Sequence, residues 1–255
     1  MRNAESIHLS GESPDHDYRF FRDPEERAEL YQYSKGLARQ VRERGVTDIV
    51  FVDRAARPIF VGLREYWRSK FPEEKLPGIF FINPAGFNSH EHPALNRPDE
   101  FDEFLPDIPI NQCVKDGSND IRPEADIVAE FKQIHRYLMD HRQQPILLFD
   151  TCIHSGATIK SVVDTMRQLG FTNLVIGTIH QPINNQAFVQ PDFWAASHRS
   201  VGGCSPFGQD RSIEKTCDHV ISTPTNDPDI RSESVELRDE IRRVIAEELE
   251  HEQCG

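Results

Sequence analysis

A chain of 255 residues, 37% hydrophobic and 28% charged, has the make-up of one large globular domain or of a domain with a sizeable embellishment. A net charge of −13 argues against a general nucleic-acid surface, which needs clustered Lys and Arg, but leaves room for a local site on a small phosphorylated ligand. No apolar run approaches the roughly 18–20 residues of a membrane span. The first twenty residues carry no apolar signal core, and five cysteines without CxxC spacing read as reduced thiols, so a cytoplasmic protein is expected.

Residues 1–22 are polar and aperiodic and read as a loose N-terminal arm. Asp23-Pro24-Glu25-Glu26 then starts a helix, with an N-cap acid, Pro at the first helical position and acids in the first turn. It predicts burial of Leu30, Tyr33, Leu37 and Val41 and a stop at Gly45. Ile49–Val52 reads as a buried strand, Asp53–Arg57 as a turn, and Pro58 onward as a helix through Ile59, Leu63, Tyr66 and Trp67. Gly78–Ile82 is a further strand. Residues 85–122 are irregular and rich in Pro, Asn, His and acids, which marks an insertion, either a closing loop or plain disorder.

Pro123 opens a helix expected to reach about His141, with Ile127, Phe131, Ile134 and Leu138 inward. Ile146–Phe149 is a short apolar run suited to a buried parallel strand, followed by a helix to about Leu169. Asn173–Ile179 reads as a strand, residues 183–216 as loop, His219–Ser222 as a last short strand, and Ser232–Glu250 as a charged amphipathic helix. The alternation of helix and strand predicts an α/β fold, a doubly wound, mostly parallel sheet flanked by helices. Ligands of such sheets bind beyond the carboxyl ends of the strands. The polar groups Asp53–Arg57, Asn83, Asp150–Thr158 and His180-Gln181 fall there.

The stretch Pro145–Ile159, PILLFDTCIHSGATI, carries the strongest signal. A strand that ends at a carboxylate and turns through small residues into a helix offers backbone N–H groups and the positive end of the helix dipole to an anion. Ser155 and Thr158 add hydroxyls, and Gly156 permits close backbone approach. No GxxxxGK[ST] and no strand-borne GxGxxG is present. The stretch resembles the phosphoribosyl-diphosphate motif of type I phosphoribosyltransferases, in which four apolar residues precede two acids and a Thr/Ser-rich Gly-x-Thr loop. Here Asp150 is the first acid, Thr151 stands in place of the second, and His154, Ser155, Gly156, Ala157 and Thr158 form the phosphate loop.

That resemblance implies transfer of the phosphoribosyl group to a nitrogenous base with release of pyrophosphate. It implies Asp150 and Thr151 at the ribose, Mg²⁺ held through Asp150, and Arg54, Ala55, Ala56 and Arg57 at the pyrophosphate. An arginine fork suits that last role because it bonds phosphate oxygens in pairs. It further implies a flexible loop within 85–122 and a small hood within 183–216, where Phe193 and Trp194 are candidates to stack on the base. The implied domain spans 23–223, with a C-terminal helix and tail over 224–255, and relatives of this kind are often homodimers. Because Thr151 supplies no charge, a non-catalytic phosphoribosyl or nucleotide sensor is the alternative. A phosphohydrolase using Asp150 as nucleophile meets Cys152 where a second Asp is usual, and an interaction protein would use the acidic C-terminal helix.

Overall fold

The computed structural model describes residues 18–52, 56–82, 84, 124–133, 135–153, 156–180, 187–196 and 228–254. The first helix, α1, spans Pro24–Glu43; the Asp23 carboxylate accepts the Glu25 N–H at 2.8 Å and Gly45 follows its end with φ +61°. Leu30, Leu37 and Val41 are fully buried along it, as their spacing predicts. β1 (Asp48–Val52), α2 (Ala56–Lys70) and β2 (Gly78–Ile82) come next, then α3 (Glu124–Gln133) and α4 (Arg136–Asp140). β3 (Ile146–Asp150), α5 (Ala157–Gln168), β4 (Leu174–Thr178), β5 (Phe193–Trp194) and α6 (Pro228–Cys254) complete the order.

All five strands run parallel in the order β2-β1-β3-β4-β5. The doubly wound α/β fold expected from the sequence is therefore the one observed. β1 is buried throughout and β3 along its apolar run, because helices cover both faces. The period of two sorts their side chains cleanly. Ile49, Phe51, Leu147 and Phe149 join the core shared with α1, α2 and α6. Val50, Val52, Ile146 and Leu148 join Ile127, Phe131, Leu138, Val162 and Met166 of α3, α4 and α5 on the opposite face. Each such side chain contributes about 1.5–3 kcal/mol by leaving water.

Four features depart from the sequence reading. The helix expected from Pro123 to His141 is broken into α3 and α4, with His135 at φ −101° and ψ 38° between them. Phe193-Trp194, read as loop, is a short parallel strand in register with Gly177-Thr178; two residues are too few to show a period. Residues 18–22 are no loose arm, since the backbone N–H groups of Arg19, Phe20 and Phe21 all donate to the buried Glu240 carboxylate at 2.6–3.2 Å. The last helix is longer than expected and is part of the core, burying Leu237, Ile241, Val244, Ile245 and Leu249 against α1 and α2. The expected strand at 219–222, the whole of the 85–122 insertion and most of the 183–216 hood lie outside the described residues. Among the described residues no helix is long and apolar enough to cross a membrane.

Candidate ligand site at the carboxyl edge

Strand order fixes where a ligand has room. From β1 the chain moves to one side to make β2, then returns to the other side of β1 to make β3, β4 and β5. The connections therefore leave in opposite directions at the carboxyl ends of β1 and β3, which lie side by side with Phe51 opposite Phe149. A crevice opens at such a switch point, and it is the usual ligand site of an open parallel sheet. The loops beyond β1 and β3 are the two that the sequence singled out.

On the β3 side, Asp150 closes the strand, half-buried and opposite Thr178. Thr151 is buried, and its carbonyl accepts the Thr178 hydroxyl at 3.1 Å and the Ile179 N–H at 3.3 Å. Its carbonyl is thus committed to bracing β3 against β4. His154 and Ser155 lie outside the described residues. Gly156 takes φ +76° immediately before α5, and the Lys160 N–H bonds its carbonyl at 2.8 Å to begin the helix. A side chain there would be strained by the backbone angle and would sit 3.1 Å from the Val189 nitrogen. Ala157 and Thr158 form the first turn of α5, each half-buried.

On the β1 side, Arg54 and Ala55 lie outside the described residues. Ala56 is wholly buried, so its methyl packs in the core at the start of α2. Arg57 is half-buried, with its guanidinium carbon 4.6 Å from the centre of the Phe81 ring on β2. That stacking leaves the edges of the guanidinium as its hydrogen-bonding surface.

The two aromatic candidates separate. Phe193 is 5% exposed, and its ring lies so close over Gly177 that a β-carbon there would come within 2.5 Å of it. Arg44, at the far end of α1, stacks on the same ring at 5.2 Å. Phe193 thus serves the core, and its burial leaves no face for a base. Trp194 is 42% exposed, beside a groove of about 730 Å³ that runs along α1 past β5 and includes Lys35, Arg39 and Asp192. This groove lies on the lateral edge of the sheet, away from the β1–β3 crevice.

The sequence reading missed Phe188, which is 61% exposed in the segment whose backbone packs on Gly156. No periodicity marks it, because it belongs to neither helix nor strand. His180, after β4, sets its ring edge-on to Tyr33 at 5.2 Å. Among the described residues no three His, Cys, Asp or Glu side chains gather as a metal site. A Mg²⁺ ion shared with ligand phosphates needs only one or two protein carboxylates, so Asp150 at the strand end remains compatible with one.

No protein-family model and no curated protein sequence matches the chain. Among solved structures it is similar to the purine phosphoribosyltransferase from Pyrococcus horikoshii Ot3, with 13% identity, a TM-score of 0.37, and 66% of this chain and 81% of that one covered. It is similar also to the Helicobacter pylori xanthine-guanine-hypoxanthine phosphoribosyltransferase, with 16% identity, a TM-score of 0.35, and 64% and 79% covered. At these values neither match adds to what the order of the strands establishes: a parallel α/β sheet whose switch point lies between β1 and β3.

Proposed function

We propose that the chain binds phosphoribosyl diphosphate in the β1–β3 crevice and transfers its phosphoribosyl group to a nitrogenous base. The single observation that carries this is adjacency: the phosphate-loop stretch and the arginine-bearing loop follow neighbouring strands at the switch point. In the reaction the bond from the anomeric carbon to the pyrophosphate oxygen breaks, a bond from the base nitrogen forms, and the nitrogen's proton passes to solvent. Catalysis of this kind is mostly positioning and charge management.

The turn from His154 to Thr158 holds the 5-phosphate, and Asp150 orients the ribose hydroxyls. Arg54 and Arg57 take the pyrophosphate as it leaves. Mg²⁺, bound between Asp150 and the ligand, would offset phosphate charge. Phe188 is better placed than Phe193 to lie on a base, since it is exposed beside the phosphate loop. The test is pyrophosphate release from phosphoribosyl diphosphate over a panel of bases, with Asp150→Ala as the control. Turnover is expected in the parent and abolished in the variant; equal turnover in both would sink the proposal.

Thr151 favours a second reading, a phosphoribosyl or nucleotide sensor without turnover. It offers no second carboxylate, and its carbonyl is spent on β4. Thermal stabilisation by nucleoside monophosphates, with no pyrophosphate released for any base, is the outcome that reading requires.

A further inference from the structure

The groove beside β5, of about 730 Å³, is large enough for a small ligand, and none of its lining residues belongs to the loops beyond β1 and β3. One wall is the side of α1 that carries Lys35, Gly36 and Arg39, positions the helical repeat brings to one face. Trp194 of β5 and Tyr66 of α2 line it as well. At Gly36 the two elements meet. A β-carbon there would collide with the Ala195 carbonyl, so the missing side chain lets the β5 segment lie directly on α1.

Most of the charged groups around the groove are engaged. Lys35 holds Glu252, Arg42 holds Glu74 at 2.9 Å, and Arg44 donates to Gln40 at 3.1 Å and stacks on Phe193. Asp192 accepts the Ile176 N–H at 2.7 Å. Three donors are left over. Tyr66 is 7% exposed, yet among the described residues its hydroxyl makes no hydrogen bond, and it is not sealed from solvent. A hydroxyl on so buried a side chain ordinarily has a partner. Arg39 has only Glu43, at 3.9 Å, beyond hydrogen-bond reach. The indole N–H of Trp194 has no partner among the described residues either. Burial, and then the charge of Glu252, push the Tyr66 phenol up against the opposing pull of Lys35 and Lys70, so it keeps its proton and can donate.

An acceptor with one negative charge on a flat apolar body would satisfy these groups together. A carboxylate presents two oxygens to an arginine fork and has lone pairs left for a phenol O–H. A planar ring suits the exposed face of an indole. A doubly charged phosphate fits less well, since Glu43 and Asp192 also line the groove and Arg39 is its one cation, among the described residues, without a hydrogen bond. We propose that the groove binds a small planar aromatic carboxylate, its ring on Trp194 and its carboxylate between Arg39 and Tyr66. The site is separate from the phosphoribosyl crevice and does not rest on the transferase reading.

The experiment is titration of the full chain, followed by ligand-observed proton NMR. The probes are 2-naphthoate, its neutral amide 2-naphthamide, and the non-planar cyclohexanecarboxylate. Saturable binding of 2-naphthoate is expected, about tenfold tighter than that of either control. Arg39→Gln is expected to weaken 2-naphthoate about tenfold and to leave 2-naphthamide unchanged. Tyr66→Phe, which keeps the packed ring, is expected to weaken 2-naphthoate about threefold. Trp194→Leu should weaken acid and amide alike. Side chains with a merely structural role would not separate the acid from its amide. No saturation by 2-naphthoate in the parent would overturn the site, as would equal affinity in the parent and Arg39→Gln, or equal affinity for cyclohexanecarboxylate. Displacement of 2-naphthoate by phosphoribosyl diphosphate would also overturn it, by putting the acid in the β1–β3 crevice. Binding indifferent to phosphoribosyl diphosphate would support the groove, whatever the fate of the transferase reading.

Discussion

The turn that leads into α5 and the α1–α2–α6 layer are built on opposite plans. At the turn, position is set by backbone: one left-handed glycine, a strand end, and a neighbouring segment packed on Gly156. In the layer, side chains from distant parts of the chain do the holding. Glu240 gathers three backbone N–H groups, Tyr18 donates to Glu247 at 2.7 Å, and Glu252 is shared by Tyr31, Lys35 and Lys70. The contrast is one of reach: the layer is held by side chains from distant parts of the chain, the turn by its own backbone and the segment packed on it.

Four substitutions test that contrast. Ile241→Ala empties a fully buried position under α1 and α2. It is expected to cost about 2–5 kcal/mol in urea unfolding, with ligand affinity of the folded fraction unchanged. Glu240→Gln replaces a carboxylate that holds residues 19–21 and is expected to cost about 2 kcal/mol. Its mark would be early proteolysis before Asp23, and a melting temperature equal to the parent's would contradict the role given to it.

Gly156→Ala places a β-carbon at φ +76° against Val189. The expected loss of stability is about 1–2 kcal/mol, and ligand-induced stabilisation should fall much further. If stability and ligand response fell in proportion, the turn would not be separable from the fold. The smallest effect is that of Glu252→Gln, and it depends on pH. Hydrogen bonds from Lys35, Lys70 and Tyr31 hold the Glu252 carboxyl down to about 2 from a usual 4.5. A depressed folded-state value means stability that is present above pH 4.5 and lost as pH falls toward 2. Parent and variant melting curves should therefore converge across that window, by a small amount, because the group is largely exposed.

How much of this was legible depended on whether the cause was local. The strand Ile146–Asp150 and its helix could be read because an apolar run, a carboxylate and a glycine each act where they stand. The cap of α1 was legible for the same reason, Asp23 reaching only two residues along. Phe193 was misread because its neighbour is Gly177, whose missing side chain makes the space for the ring. Glu240 looks like any other acid of a charged helix; only the fold brings residues 19–21 to it. Residues 53–55 and 154–155 were chosen for chemistry alone, and they lie outside the described residues.

The docking of α6 also sets the order of events as the chain is made. Contacts such as Tyr18 with Glu247 join positions 229 residues apart, so α1 and α2 emerge long before the helix that covers them. At ordinary rates of synthesis the interval is roughly 10–40 s. For that time α1 and α2 have no α6 against them, and Tyr31 lacks its Glu252 partner. Contacts this distant also slow closure in refolding, because loop entropy must be overcome before they form. The docking of α6 should thus be a late, rate-limiting event, and the nascent chain should expose an apolar face to chaperones until it happens.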